Sequence, residues 1–83
     1  MNKLELLASQ MRESPHFTYV SLNKRFRWIR FTSKNRPLNL KRRYELYEWP
    51  NVGLVLYNKT DGRILKEFGN EVTLSKILET IGF

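Results

Sequence analysis

VGLVLYNKTDGRILKEF, residues 52–68, is the stretch from which the architecture can be read. It holds two apolar runs, Val52 to Asn58 and Arg63 to Phe68, joined by Lys59-Thr60-Asp61-Gly62. Asp-Gly between such runs signals a hairpin, because glycine accepts the positive φ that tight turns require. Gly69-Asn70 ends the second run. Beyond it the period changes. Leu74, Ile77, Leu78 and Ile81 recur at helical spacing behind a capping Thr73, which predicts a helix over 74–81.

Working back from the hairpin, Trp49-Pro50-Asn51 breaks a strand expected from about Leu40 to Glu48. Ser33 to Asn39, with Asn35, Arg36 and Pro37, reads as an exposed loop. Earlier still, a strand starts at Phe17, where Phe17, Tyr19 and Ser21 alternate with Thr18, Val20 and Leu22. A second strand runs from Arg25 to Thr32, with the turn at Asn23-Lys24. Residues 2 to 12 predict an amphipathic helix with Leu4, Leu7, Ala8 and Met11 on one face, Asn2 as N-cap and Ser14-Pro15 as the stop.

The order is helix, four or five strands, helix. The expected class is α+β: an antiparallel sheet of four or five strands, with an N-terminal and a C-terminal helix packed on one face. The other face, or an edge, stays free for a partner. No repeat, low-complexity tract or linker interrupts the chain, so residues 1–83 are expected to form a single domain.

Eighty-three residues suffice for a modest core, burying roughly 64% of the unfolded surface. With no cysteine and one histidine, His16, disulfides, thiolate sites and multi-histidine metal sites are excluded. Apolar runs fall short of the roughly 20 residues that cross a bilayer. The opening MNKLELLASQMRES lacks the apolar stretch of a secretory signal. A cytoplasmic protein is the expectation, with no cofactor.

Charge carries the functional signal. The formal net charge is +7 and the pI near 10.1, which points to polyanionic partners. Nine bases and no acid lie between Lys24 and Arg43: Lys24, Arg25, Arg27, Arg30, Lys34, Arg36, Lys41, Arg42 and Arg43. The remaining six bases and all eight acids leave the rest of the chain at −2. These cations are expected to sit side by side on the outside of the fold, where their mutual repulsion favours a polyanion.

Within this segment LNKRFRWIRF, residues 22–31, mixes cations with rings. Guanidinium groups fork onto phosphate oxygens and rings stack on unpaired bases. A regular strand puts Phe26, Trp28, Arg30 and Thr32 on one side and Arg25, Arg27, Ile29 and Phe31 on the other. A bulge near Trp28-Ile29 would instead turn Phe26, Ile29 and Phe31 inward and Arg25, Arg27, Trp28 and Arg30 outward. Taken alone, the aromatics Phe26, Trp28 and Phe31 read as core, and Trp49, before Pro50, as a cap over it in preference to an exposed anchor. Glu45 and Glu48 are expected to trim the basic block through ion pairs.

The expected activity is nucleic-acid binding, to RNA or DNA, without catalysis. The candidate contacts are Lys24, Arg25, Arg27, Trp28, Arg30, Lys34, Arg36, Lys41, Arg42 and Arg43. A lone His16, scattered glycines and acids outside any motif give catalysis little to work with. A metal-dependent nuclease built on Glu45 and Glu48 is the minority reading. The alternative to nucleic acid is a protein partner: a small, phage-like adaptor or inhibitor whose basic face docks on an acidic or nucleic-acid-handling protein. A membrane partner is not expected, since neither helix concentrates lysine or arginine. YEWPNVGLVLYNKTDGRILKEFGNEVTLSKIL, residues 47–78, resembles integrase-type DNA-binding domains in its sheet-then-helix order. The likeness is one of element order, and no residue role carries over.

Overall fold

The computed structural model describes residues 3–35 and 40–82, with side chains for 3–33 and 42–82. The elements follow as α1 (Lys3–Glu13), β1 (Phe17–Asn23), β2 (Trp28–Asn35), β3 (Leu40–Trp49), β4 (Gly53–Asn58), β5 (Arg63–Gly69) and α2 (Leu74–Thr80). The five strands form one antiparallel sheet in sequence order. This is the expected α+β arrangement. The proposed Asn2 cap lies outside the described residues.

Each turn has a local cause. Asn58 closes the β4–β5 turn: its Oδ1 accepts the Asp61 N–H at 3.1 Å and its carbonyl accepts the Gly62 N–H at 2.8 Å. Gly62 takes φ +72°, as the Asp-Gly signal requires. Gly53, at φ +97°, starts β4 where any Cβ would run into the backbone of Gly69. Thr73 caps α2 by accepting the Lys76 N–H at 3.3 Å.

Both helices pack on one side of the sheet. Leu4, Leu7, Ala8 and Met11 of α1 and Ile77 and Ile81 from α2 and its end meet Ile29, Phe31, Tyr44, Leu46, Leu54 and Leu56. Phe17 meets Phe31 edge-on at 5.1 Å, and Phe31 stacks on Tyr44 at 5.4 Å. Lys3 Nζ donates to the Asn70 carbonyl, tying α1 to the β5–α2 connection.

Three expectations about the first hairpin change. The β1–β2 turn occupies Lys24 to Arg27 rather than Asn23-Lys24, so β2 begins at Trp28. Asn23 accounts for this, since its Oδ1 accepts the Phe26 N–H at 2.9 Å and stabilises a longer turn. The β2–β3 ladder runs without a shift from Trp28↔Tyr47 to Asn35↔Leu40, so Trp28-Ile29 carries no bulge. The irregularity lies in β1 instead, between Thr18 and Ser21. There Tyr19 adopts φ +54° and is 76% exposed, while Val20 turns back to the core. Finally, β2 extends through Asn35, shortening the expected loop.

Candidate nucleic-acid interface

Cross-strand partners share a face, so register sorts the side chains. Ile29↔Leu46↔Leu56 and Phe31↔Tyr44 point to the helices. The alternate rows point away: Trp28↔Tyr47↔Val55, Arg30↔Glu45↔Tyr57, Thr32↔Arg43 and Trp49↔Gly53. Neither helix covers these. The open face therefore carries Trp28, Tyr47, Trp49 and Tyr57 together with Arg30 and Arg43. Lys59 joins from the turn after β4.

The rings form a connected layer. Tyr47 lies 6.5 Å from Trp49 and 6.4 Å from Tyr57, and the Arg30 guanidinium sits 3.9 Å over the Trp28 ring. Beneath them Val55 is fully buried on the face that no helix covers. Trp49, expected to cap the core, is instead 39% exposed at the end of this layer.

At its centre lies Glu45, 0% exposed. Its carboxylate meets Arg30 Nε at 3.3 Å and Lys59 Nζ at 2.8 Å, and Tyr47 donates its hydroxyl to Oε2. Burial pushes the Glu45 carboxyl up, but hydrogen bonds from Lys59, Tyr47 and Arg30, and the Arg30 charge, outweigh it and hold the group below its ordinary value. Burial and the Glu45 hydrogen bond push the Tyr47 phenol up to about 12. The network is thus a fixed carboxylate holding two cations in place at neutral pH.

The ten sequence-predicted contacts do not form one patch. Trp28, Arg30 and Arg43 share the open face. Arg25 and Arg27 lie in the β1–β2 turn, and Lys24 reaches Glu5 of α1 at 3.5 Å. Arg42 pairs in register with Ser33, on the helix side, and is exposed there. Arg36 and the side chains of Lys34 and Lys41 lie outside the described residues. Two physical reasons split the cluster. Strand alternation sends adjacent Arg42 and Arg43 to opposite faces. Strand rise also separates the turn from the Ser33↔Arg42 level by roughly 17 Å.

Self-neutralisation thins it further. Arg27 meets Glu48 at 3.6 Å, so with the pairs above three of the six cations whose side chains are described face the protein's own carboxylates. Glu45 and Glu48 do trim the block as expected. Being three apart on one strand, they face opposite sides of the sheet and cannot share a metal. No group of three metal-ligating side chains occurs among the described residues.

Of the aromatics read as core, Phe31 is core, whereas Trp28 lies on the open face and Phe26 is 65% exposed in the turn. Sequence reasoning placed Trp49 over the core and did not single out Tyr47, Tyr57 or Lys59. The signal was the alternation Glu45, Tyr47, Trp49 against Tyr44, Leu46, which marks a second face rich in rings.

On the helix side, Leu6, Val72 and Leu74 border a groove between α1 and the segment leading into α2. No helix among the described residues is long and apolar enough to cross a membrane. No protein-family model, curated protein or solved structure matches this chain.

Proposed function

We propose that the uncovered sheet face binds single-stranded nucleic acid, RNA or DNA. Trp28 with its stacked Arg30, and Tyr47, Trp49 and Tyr57, offer flat surfaces to unpaired bases. Arg30, Arg43 and Lys59 meet the phosphates. One observation carries the reading: the rings and these cations occupy the same face, and no helix covers it. Base–aromatic stacking is worth about 1–3 kcal/mol per base, so two or three rings give useful affinity without sequence readout. The Glu45 network adds preorganisation, because Arg30 is held in place before any ligand arrives.

Intrinsic tryptophan fluorescence, titrated with oligothymidylate and oligouridylate at rising salt, tests this. Quenching is expected, with log K falling against log[salt] at a slope of roughly −1.5 to −2, for the two or three phosphates these cations meet. Trp28→Ala with Tyr57→Ala should weaken binding at least tenfold while the far-UV dichroism stays unchanged. Full affinity in that folded double variant would remove the open face from consideration.

The alternative is an acidic or nucleic-acid-handling protein docked on the basic residues, and the groove beside Leu6, which is 51% exposed, offers such a protein a second, apolar surface. A partner retained from nuclease-treated lysate, with no shift of free RNA or DNA, would select it.

A further inference from the structure

One end of the sheet combines exposed apolar side chains, positive charge and held backbone. The β1–β2 turn presents Phe26 there, flanked by Arg25 and Arg27, with the Arg25 guanidinium 5.5 Å over the Phe26 ring. The β3–β4 turn lies alongside, because Glu48 N–H donates to the Arg27 carbonyl at 3.0 Å. That second turn brings Trp49 and Val52, both partly exposed.

Neither turn is loose. Asn23 Oδ1 holds the Phe26 N–H, Arg27 adopts φ +56° and Asn51 φ +64°. A positive φ at a bulky arginine is unfavourable in itself, and such positions gather where geometry serves a function. Here the Glu48 hydrogen bond and the Arg27–Glu48 ion pair hold it in place. The result is an apolar ring kept in water on a braced support, with a cation resting on it.

What would such a ring meet? Its natural partner is a flat apolar surface edged by negative charge. The terminal base pair of a duplex is one. The ring row on the open face also ends here, at Trp28 and Trp49, so a strand leaving a duplex end would pass directly onto it. The opposite end, with Arg43 and the Lys59 turn, carries charge, and of the ring row only Tyr57 reaches toward it among the described residues.

Resting on the single-strand reading above, we infer that the protein recognises the junction between duplex and single strand. Phe26 stacks on the last base pair, and the unpaired strand lies along the open face. A lipid surface is the competing class of partner for an aromatic tip edged by arginine. The ring row running from the tip down the face to Tyr57 favours a chain of bases, since a flat bilayer has no use for it.

Fluorescence anisotropy tests the inference with three labelled DNAs: a single strand, a blunt duplex of the same sequence, and that duplex with a single-stranded overhang. The overhang substrate is expected to bind about tenfold tighter than either of the others. Phe26→Ala should erase that preference, a loss of about tenfold in overhang binding, and leave single-strand affinity unchanged. Phe26→Trp should keep it. Asn23→Ala, which frees the turn but retains the ring, should lose part of it. Equal binding of single strand and overhang, or a preference that survives Phe26→Ala, overturns the inference while leaving the open-face reading intact. If no DNA or RNA binds, both fall. Phe26-dependent sedimentation with phosphatidylcholine–phosphatidylserine vesicles, without junction binding, would assign the tip to membranes and overturn it as well.

Discussion

The two faces of this sheet come from the same strands, and alternate residues of each strand are buried by different means. Toward the helices, Ile29, Phe31, Tyr44, Leu46, Leu54 and Leu56 are buried beneath a second layer of backbone. Away from them, Val55 and Glu45 are equally inaccessible on a face without a helix: Glu45 is held by the Arg30 guanidinium, the Lys59 ammonium and the Tyr47 hydroxyl, and Val55 pairs in register with Tyr47. The difference shows that low exposure has two meanings here. Beneath a helix it marks residues that hold the fold together. On the open face it marks residues held by ion pairs, a hydrogen bond and neighbouring rings rather than by a packed helix.

Substitutions put numbers on that contrast. Phe31→Ala empties the centre of the helix-side core and should cost about 3–5 kcal/mol in urea unfolding. Tyr57→Ala on the open face should cost less than half as much. Equal losses would break the distinction between the faces. Next, Gly53→Ala should cost about 2–3 kcal/mol, because it combines positive φ with a collision against Gly69. It probes the start of an inner strand that contributes to both faces.

Glu45→Gln removes the charge beneath the open face and should cost about 1–3 kcal/mol at neutral pH, with two half-exposed cations moderating the loss. The folded carboxyl titrates below its ordinary value of 4.5. Its charged form therefore contributes stability above that pH, and the contribution fades as pH falls through the folded value. Wild type and Glu45→Gln should accordingly converge in acid. If the gap between them persists there, the ionic account of this face is wrong.

Tyr47 works in the other direction. Its phenol ordinarily titrates at 10.0 and in the fold at about 12, so the protonated form stabilises the protein below pH 10 and loses that effect as pH rises toward 12. Tyr47→Phe should lose less stability than wild type across the interval, measured by thermal melts at each pH. The smallest expected effect on folding belongs to Trp28→Ala, about 1 kcal/mol, since the ring is only partly buried and the truncation gives up its contact with Arg30. Its effect on nucleic-acid affinity should be the larger of the two. A reversed order would make Trp28 a structural residue.

The readable parts of the sequence were those whose cause is local. The helical spacing of Leu4, Leu7, Ala8 and Met11, the Asp61-Gly62 turn and the Thr73 cap each act within a few residues, and each appears in the fold. The start of β2 was misread because one side-chain hydrogen bond, from Asn23, lengthens a turn that composition alone places earlier. The site was less legible. Nine cations stand out in a linear reading, yet Tyr47, Trp49 and Tyr57 become neighbours of Trp28 only once β3 is paired with β2 and β4 with β3.

By itself, then, the sequence determined the order of helices and strands, and that a basic stretch interrupts an otherwise slightly acidic chain. Only the tertiary structure decided which residues share a face, which cations are neutralised by Glu5, Glu45 and Glu48, and which rings are left without a helix above them. Period and capping belong to neighbours along the chain. Face and charge partner depend on strand register and on the side where the helices dock, and both are set by packing between distant segments.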